Sequence, residues 1–408
     1  MCHWKMLAFT LFLVLHALQL CAEPSDAPLV LKSAVHFEDF QNREPMVLEL
    51  SNGDLLVSGF PRAPHEPARP PSLWRSSDGG NSWARVNVGT PADGAVGNSD
   101  VDLALGPDGT IYFVTMGFNR TTSRGTHVAV GVSNDDGASW AWTQLTDREL
   151  ADRPWVVVSG DGTAHVVWND GDGVHHTLSR DGGKTWQSRP QVHSSGGSSH
   201  LAVGPQGELA VRLTPLYASG NRFDAQVDMI AVSTDGGDTW SKRALPGSRV
   251  WLPGGVPRWV EPIAWDGDGA LYYLWSEGRS MHLGRSTDRG AAWESWQIAT
   301  DSDVMFYPYL IATADRELAA TWFSAADGRG LRVAKVSLKE GEPQVSSSEL
   351  LRFESWAETE DGRQRDSNGE YAPIVRLADG DLAVVTPLQD ARLERLGFSF
   401  WRLETSPR

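Results

Sequence analysis

The chain is nearly without cysteine: Cys2 and Cys21 are the only two in 408 residues, and both fall in the first 22. The remainder is expected to fold without disulfides and to depend on packing. Basic charge is also scarce, with 36 Lys and Arg against 52 Asp and Glu and a formal net charge of -16. That balance excludes nucleic acid as a partner, because phosphate is bound by Lys and Arg clusters, and it leaves an acidic surface that favours solubility. A Gly-rich phosphate loop, an HExxH metal motif and a nucleophile elbow are all missing, so no cofactor or metal is expected.

The one apolar stretch is N-terminal. MCHWKMLAFTLFLVLHALQLCAEP carries a lysine, an apolar run from Leu7 to Leu20 and a cleavage point after Ala22. This is the layout of a secretory signal peptide, with residues 1–22 removed and 23–408 forming one mature domain that is secreted or periplasmic. The run is short for a bilayer span of about 20 residues, so no stable span is expected after processing. A lipoprotein reading would use Cys21, but Leu20 stands where such signals carry a small residue.

What is abundant is repetition. Ser-x-Asp-x-Gly-x-x-Trp occurs five times: SSDGGNSW, SNDDGASW, SRDGGKTW, STDGGDTW and STDRGAAW. The aspartates Asp78, Asp135, Asp181, Asp235 and Asp288 follow one another at 57, 46, 54 and 53 residues, a period that fits one four-stranded propeller blade per copy. In each copy Ser and Asp can bond across a tight turn, Gly supplies positive φ, and Trp83, Trp140, Trp186, Trp240 or Trp293 packs beneath the hairpin.

A second repeat, an apolar run on each side of a polar Gly turn, counts the blades independently. It begins at Val47, Leu103, Val156, Leu201, Ile263, Leu310 and Ile374, which makes seven hairpins. The last hairpin ends at Leu396–Leu403 without room for a fourth strand, while Leu29–Phe37 stands unpaired ahead of the first. The expectation is an all-β, seven-bladed propeller whose N-terminal strand completes the last blade and removes the open edge. Six blades is the alternative. Gly turns and eight-residue turns must emerge on one face, so the starts of the inner strands and the loops after the second strands share the other. That other face is where a ligand site belongs.

The eight-residue phrase resembles the Asp box of the sialidase superfamily, where it closes a hairpin remote from the catalytic centre. On the opposite face, Arg43-Glu44-Pro45 stands where that family has Arg-Ile-Pro. The resemblance implies that Arg43 joins a three-arginine clamp on a sugar carboxylate, with Arg279 and Arg332 as further members and Arg212 as a rival. Glu66, shortly before the first Asp box, takes the place of the family's acid/base carboxylate, which is an Asp. Tyr371, in EYAPIVRLADG, is similar to the family's Tyr-Ser-x-Leu stretch and implies a nucleophile, with Glu261 as its base. A tyrosine with a pKa near 10 needs such a base, and a neutral nucleophile does not repel a substrate carboxylate. A seventh blade departs from the six of sialidases and widens the ring that must hold the clamp.

Other readings stay open. Asp152–Val158 (DRPWVVV) resembles inner strands of bacterial Asp-box propellers without the full catalytic set. A monomeric, non-catalytic propeller could bind a glycan, a glycoconjugate or a protein partner through the same face, with Trp74, Trp251 and Trp259 stacking on sugars. A polysaccharide lyase would use His65 or His200 with a tyrosine. Glu261 could simply pair with Arg258, and the NDGDG run from Asn169 reads as turn chemistry rather than a calcium loop.

Overall fold

The computed structural model describes residues 29–37, 42–61, 69–214, 227–249, 261–324, 330–352, 371–390 and 395–405. These form seven sheets of four antiparallel strands, one per blade. The count is seven, not six. The inner strands are Asn42–Glu49, Ser99–Leu105, Asp152–Val158, Gly197–Val203, Ile263–Trp265, Met305–Ala314 and Ile374–Arg376, and each pairs with the next strand across the predicted Gly turn. No helix among the described residues is long and apolar enough to cross a membrane.

Ring closure follows the sequence expectation. Val30–Phe37 pairs with Arg395–Glu404 as the outermost strand of the seventh sheet, placing Phe37 opposite Phe398. Phe37 then stacks on Trp83 of blade 1 at 4.5 Å and 12°, so the closing strand also ties the last blade to the first. The first 28 residues, where the leader is expected, lie outside the described residues.

The Asp boxes are local hydrogen-bond cages. In the first, Ser76 Oγ donates to Asp78 Oδ1 at 2.8 Å and accepts the Gly80 N–H at 2.8 Å. The carboxylate also takes the Ser82 N–H at 2.9 Å and the Ser82 hydroxyl at 2.6 Å, and Trp83 Nε1 donates to the Gly80 carbonyl at 3.0 Å. The Ser82 hydroxyl first, then the Ser82 N–H and Ser76, hold Asp78 down to about 2. Asp135 and Asp181 are held to about 2 in the same way, Asp235 and Asp288 are lowered, and the fifth box has Ala292 where the others have Ser or Thr. Blade 6, without a box, turns over Leu338–Gly341 on one backbone bond of 3.1 Å.

In the first, third and fourth boxes the cage also seats its blade against the one before it. Gly80 has φ +94°, and a Cβ there would stand 2.1 Å from Phe400 of blade 7. Gly183 would meet Val132 of blade 2 at 2.5 Å, and Gly237 would meet His176 of blade 3 at 2.2 Å. Gly turns and boxes share one face, as expected: Asp54, in the first Gly turn, accepts Ser77 Oγ of the first box at 3.1 Å. Arg289 of the fifth box reaches Glu208, in the Gly turn of blade 4, at 3.3 Å.

Gly80→Ala should therefore destabilise the ring by about 1–3 kcal/mol, from overpacking against Phe400 added to backbone strain. Gly53→Ala is the control, since Gly53 also has positive φ, +84°, but open space around it. Urea denaturation should show the larger loss at Gly80, and equal losses would refute the packing argument.

Candidate functional site

In five blades the inner strand is broken by a β-bulge shortly after it starts. Three bulges carry a non-glycine residue at positive φ directly before a proline: Glu44 (49°), Arg153 (50°) and Tyr307 (48°). Such a conformation costs about 1–3 kcal/mol per residue and persists only where packing enforces it. All three are buried. A bulge turns the following side chains by changing the local twist. Here pairing resumes at Met46, Trp155, His200 and Tyr309 in blades 1, 3, 4 and 6.

These four converge on the propeller axis. Tyr309 OH meets Met46 Sδ at 3.3 Å, and His200 lies 5.0 Å from Trp155 and 5.9 Å from Tyr309, measured between ring centroids. Tyr371, just ahead of the last inner strand, adds its ring 6.3 Å from Trp155 and 6.3 Å from Tyr309. A seventh blade does not leave an open bore, because aromatic side chains long enough to reach across the ring occupy the axis. Tyr371 retains only 2% exposure.

Glu261 stands at the head of the fifth inner strand and is fixed by a buried guanidinium. Arg212 Nη2 contacts Glu261 Oε2 at 2.9 Å, Asp228 Oδ2 at 2.9 Å and Ser248 Oγ at 2.7 Å. Arg212 Nε also reaches Asp228 at 3.2 Å, and Nη1 bonds the Leu274 and Pro262 carbonyls at 2.6 and 3.2 Å. An arginine has five N–H donors, and each nitrogen here already has protein acceptors. Arg212 is thus an organiser of Glu261 and Asp228, with nothing left for a substrate carboxylate. Arg258, the sequence-adjacent partner considered for Glu261, lies outside the described residues.

The cations of the mouth are distributed unevenly. Arg43 has a neighbour that sequence reasoning missed: Arg120, from the loop after the second strand of blade 2. Its guanidinium lies 5.4 Å from the Phe118 ring and 5.9 Å from Phe60, within cation–π range, and its Nη2 donates to the Asn98 carbonyl at 2.8 Å. Burial first, then repulsion from Arg43, lower the Arg120 pKa, while Glu44 and Asp100 oppose the shift. Arg279 is exposed on the turn between Glu277 and Ser280. Arg332 sits on the third strand of blade 6, where it faces Glu349 at 3.3 Å and Asp301 at 3.9 Å. Glu66, His65, Trp251 and Trp259 lie outside the described residues. Trp74, a candidate sugar platform, is instead core: it is 3% exposed and packs edge-on to Phe398 at 5.1 Å.

Two ionisable groups near the axis are strongly perturbed. Burial first and the Arg212 charge second push His200 down to about 3, so its ring is neutral at pH 7. Asp102, on the second inner strand, accepts the N–H of Val156 in blade 3 and that of Leu103, both at 2.9 Å, yet burial outweighs these bonds and pushes it up from 3.8 to about 7. Burial, with the Asp102 and Glu44 carboxylates adding to it, raises Tyr309 well above its ordinary value. Among the described residues no three His, Cys, Asp or Glu side chains converge to hold a metal ion. In the NDGDG run, Asp170 instead engages His175 at 2.8 Å and Arg148 at 3.2 Å.

No family model matches this chain, and no curated protein matches it. Solved structures do. The alpha-L-arabinanase of Penicillium chrysogenum, solved with arabinobiose, is 15% identical with a TM-score of 0.53, covering 94% of this chain and 99% of that one. A protein of unknown function from Dyadobacter fermentans is 17% identical with a TM-score of 0.51, covering 80% and 99%. A Hadza microbial sialidase is 16% identical at a TM-score of 0.49, over 70% of this chain and 63% of that one, so the chain spans less than two thirds of that sialidase. Sialidases and arabinan-cleaving enzymes thus stand among the structural neighbours. At these identities what is shared is the β-propeller fold.

Asp102 links stability to pH. Its pKa is higher in the folded state, about 7 against 3.8, so its contribution is complete below pH 4 and is lost as pH rises to 7. In Asp102→Asn this fall between pH 4 and 7 should be absent, as read from urea midpoints across that range. A wild-type-like slope in the variant would refute the assignment.

Proposed function

We propose that this chain is an exported, carbohydrate-active propeller that releases a terminal acidic sugar of the sialic acid type from a glycan, with retention of configuration. The observation that carries the reading is the buried Arg212 network, which commits a whole guanidinium to holding the Glu261 carboxylate, while Arg212 itself pairs across strands with His200 of the aromatic cluster that contains Tyr371. His200 is the cross-strand partner of Arg212 and touches Trp155 and Tyr309, both of which touch Tyr371. Glu261 and Tyr371 are therefore joined through an unbroken chain of contacts.

In this reading Tyr371 is the nucleophile and Glu261 takes its proton, since a phenol near pKa 10 attacks only with a base. Glu66 serves as acid/base toward the leaving group. Arg43 receives the sugar carboxylate with Arg120 beside it, two half-buried cations whose attraction for an anion is screened less than at an open surface. Arg279 and Arg332 provide charge further out on the rim.

A binding propeller without turnover is the second reading, and it is favoured by the 2% exposure of Tyr371 and the filled axis. A lyase is less well matched, because its base should titrate near neutrality and His200 is held to about 3.

Tyr371→Phe should reduce release of a fluorogenic sialoside by on the order of a thousandfold or more, as expected for loss of a nucleophile that acts as one unit with its base, with an unchanged circular dichroism spectrum. Unchanged turnover sinks the nucleophile assignment. Wild-type protein that retains sialosides on a glycan array without releasing sugar supports the binding reading instead.

A further inference from the structure

On the Asp-box face, arginines close the joints between blades. Arg75 bonds the Asp54 carboxylate at 2.5 Å and the Asp136 carbonyl of the second box at 2.8 Å. Arg402 bonds Asp381 at 2.7 Å and reaches the Gly79 carbonyl of the first box at 3.4 Å, and Arg289 reaches Glu208 across blades 4 and 5. Between blades 3 and 4 Arg189 pairs with Asp238 of the fourth box, and a second arginine is left over beside it. Arg180, in the third box, is exposed and makes no hydrogen bond or ion pair among the described residues. Its guanidinium points toward the fourth box, where a Cβ on Gly236 would stand 4.0 Å from Nη2.

Arg180 borders a cleft of about 420 Å³ between the two blades, bounded also by His165, the Gly turns of both blades and the fourth box. That volume is in the range of small-molecule sites. The cleft also has a buried histidine on its wall. His165, 2% exposed, places Nδ1 3.1 Å from His176 Nε2 and Nε2 3.5 Å from Ser159 Oγ. His176 Nδ1 has no partner. A proton there would be a buried donor without an acceptor, so the consistent assignment puts the His176 proton on Nε2, donating to His165 Nδ1. His165 then carries its proton on Nε2, toward Ser159. The Ser159 hydroxyl already donates to Asp161 Oδ1 at 2.8 Å and can accept that proton, but only over a long, weak contact.

Two donors therefore border the cleft, a guanidinium and an imidazole N–H, and neither has a strong acceptor. Around them stand hydroxyl and amide groups and two carboxylates, Asp161 and Asp235. Those carboxylates accept bonds within their own turns, from Thr163 N and from Thr239. Their charge disfavours a dianion such as phosphate, while their remaining lone pairs suit sugar hydroxyls. We propose that this cleft is a second saccharide site, separate from the mouth, which takes a monoanionic carboxylated sugar with its carboxylate on Arg180 and His165. Such a site would hold an acidic polymer on one face while the mouth engages its end, raising the effective concentration there. The site does not require the mouth to be catalytic.

Isothermal titration with D-glucuronate tests it, with D-glucose as the neutral analogue and inorganic phosphate as the dianion. Glucose should bind at least tenfold more weakly than glucuronate, and Arg180→Ala should weaken glucuronate at least tenfold, in the wild-type and equally in the Arg43→Ala background where the mouth clamp is removed. Arg180→Lys should recover part of the affinity, because charge survives and the bidentate fork does not. Equal affinity in wild type and Arg180→Ala overturns the proposal, as does a loss confined to Arg43→Ala, which would assign the binding to the mouth. Phosphate binding more tightly than glucuronate would overturn the sugar assignment. Failure of sialoside turnover touches only the mouth reading.

Discussion

The ring depends on close approaches between Asp boxes and the blades before them. In the first, third and fourth boxes the second glycine lies against a neighbour's side chain, Phe400, Val132 or His176, at distances that leave no room for a methyl group, and in the fifth a Cβ on Gly290 would come within 3.3 Å of Ile230. The Ser-Asp cage fixes the positive-φ backbone that makes this approach possible. A motif that looks like a surface turn is therefore the bearing on which adjacent sheets meet, and the angle set there, repeated around the ring, determines where the inner strands begin. The geometry of the mouth is inherited from contacts on the opposite face.

The fold was legible because its determinants are local. Each box bonds within eight residues, and each Gly-turn hairpin pairs runs adjacent in sequence, so both repeats could be counted. Closure was legible for a different reason: an unpaired strand at one end and an incomplete blade at the other left a single way to satisfy the backbone. The turn of blade 6, over Leu338–Gly341, stands where a box would but has no cage, and nothing in the structure explains its absence.

Much of the site was not legible, because its contacts join blades. Arg212 finds Glu261 across 49 positions and Asp228 across 16, a pairing that no spacing rule encodes. Arg120 lies in a loop outside either repeat. The meeting of Trp155, His200, Tyr309 and Tyr371 required the bulges, and a bulge is written only faintly in sequence, here as a charged or aromatic residue before proline in Arg-Glu-Pro, Asp-Arg-Pro and Phe-Tyr-Pro. Trp74 failed as a sugar platform for the same reason: alternation puts it on a strand, but only the neighbouring blade decides which aromatic face is covered.

The outer strand of the last blade has a consequence for the order of events during synthesis. Val30–Phe37 emerges first and must wait for Arg395–Glu404, which emerges last. Until the whole chain is available, six blades can form while the seventh offers an unfilled edge and the first strand remains without its partner. Completion of the ring is thus a late, long-range event between its first and last strands, slow by the loop-closure cost it carries. A protein built this way commits to its functional shape only once every repeat is present, so a truncated chain is left open and cannot pass as a finished one.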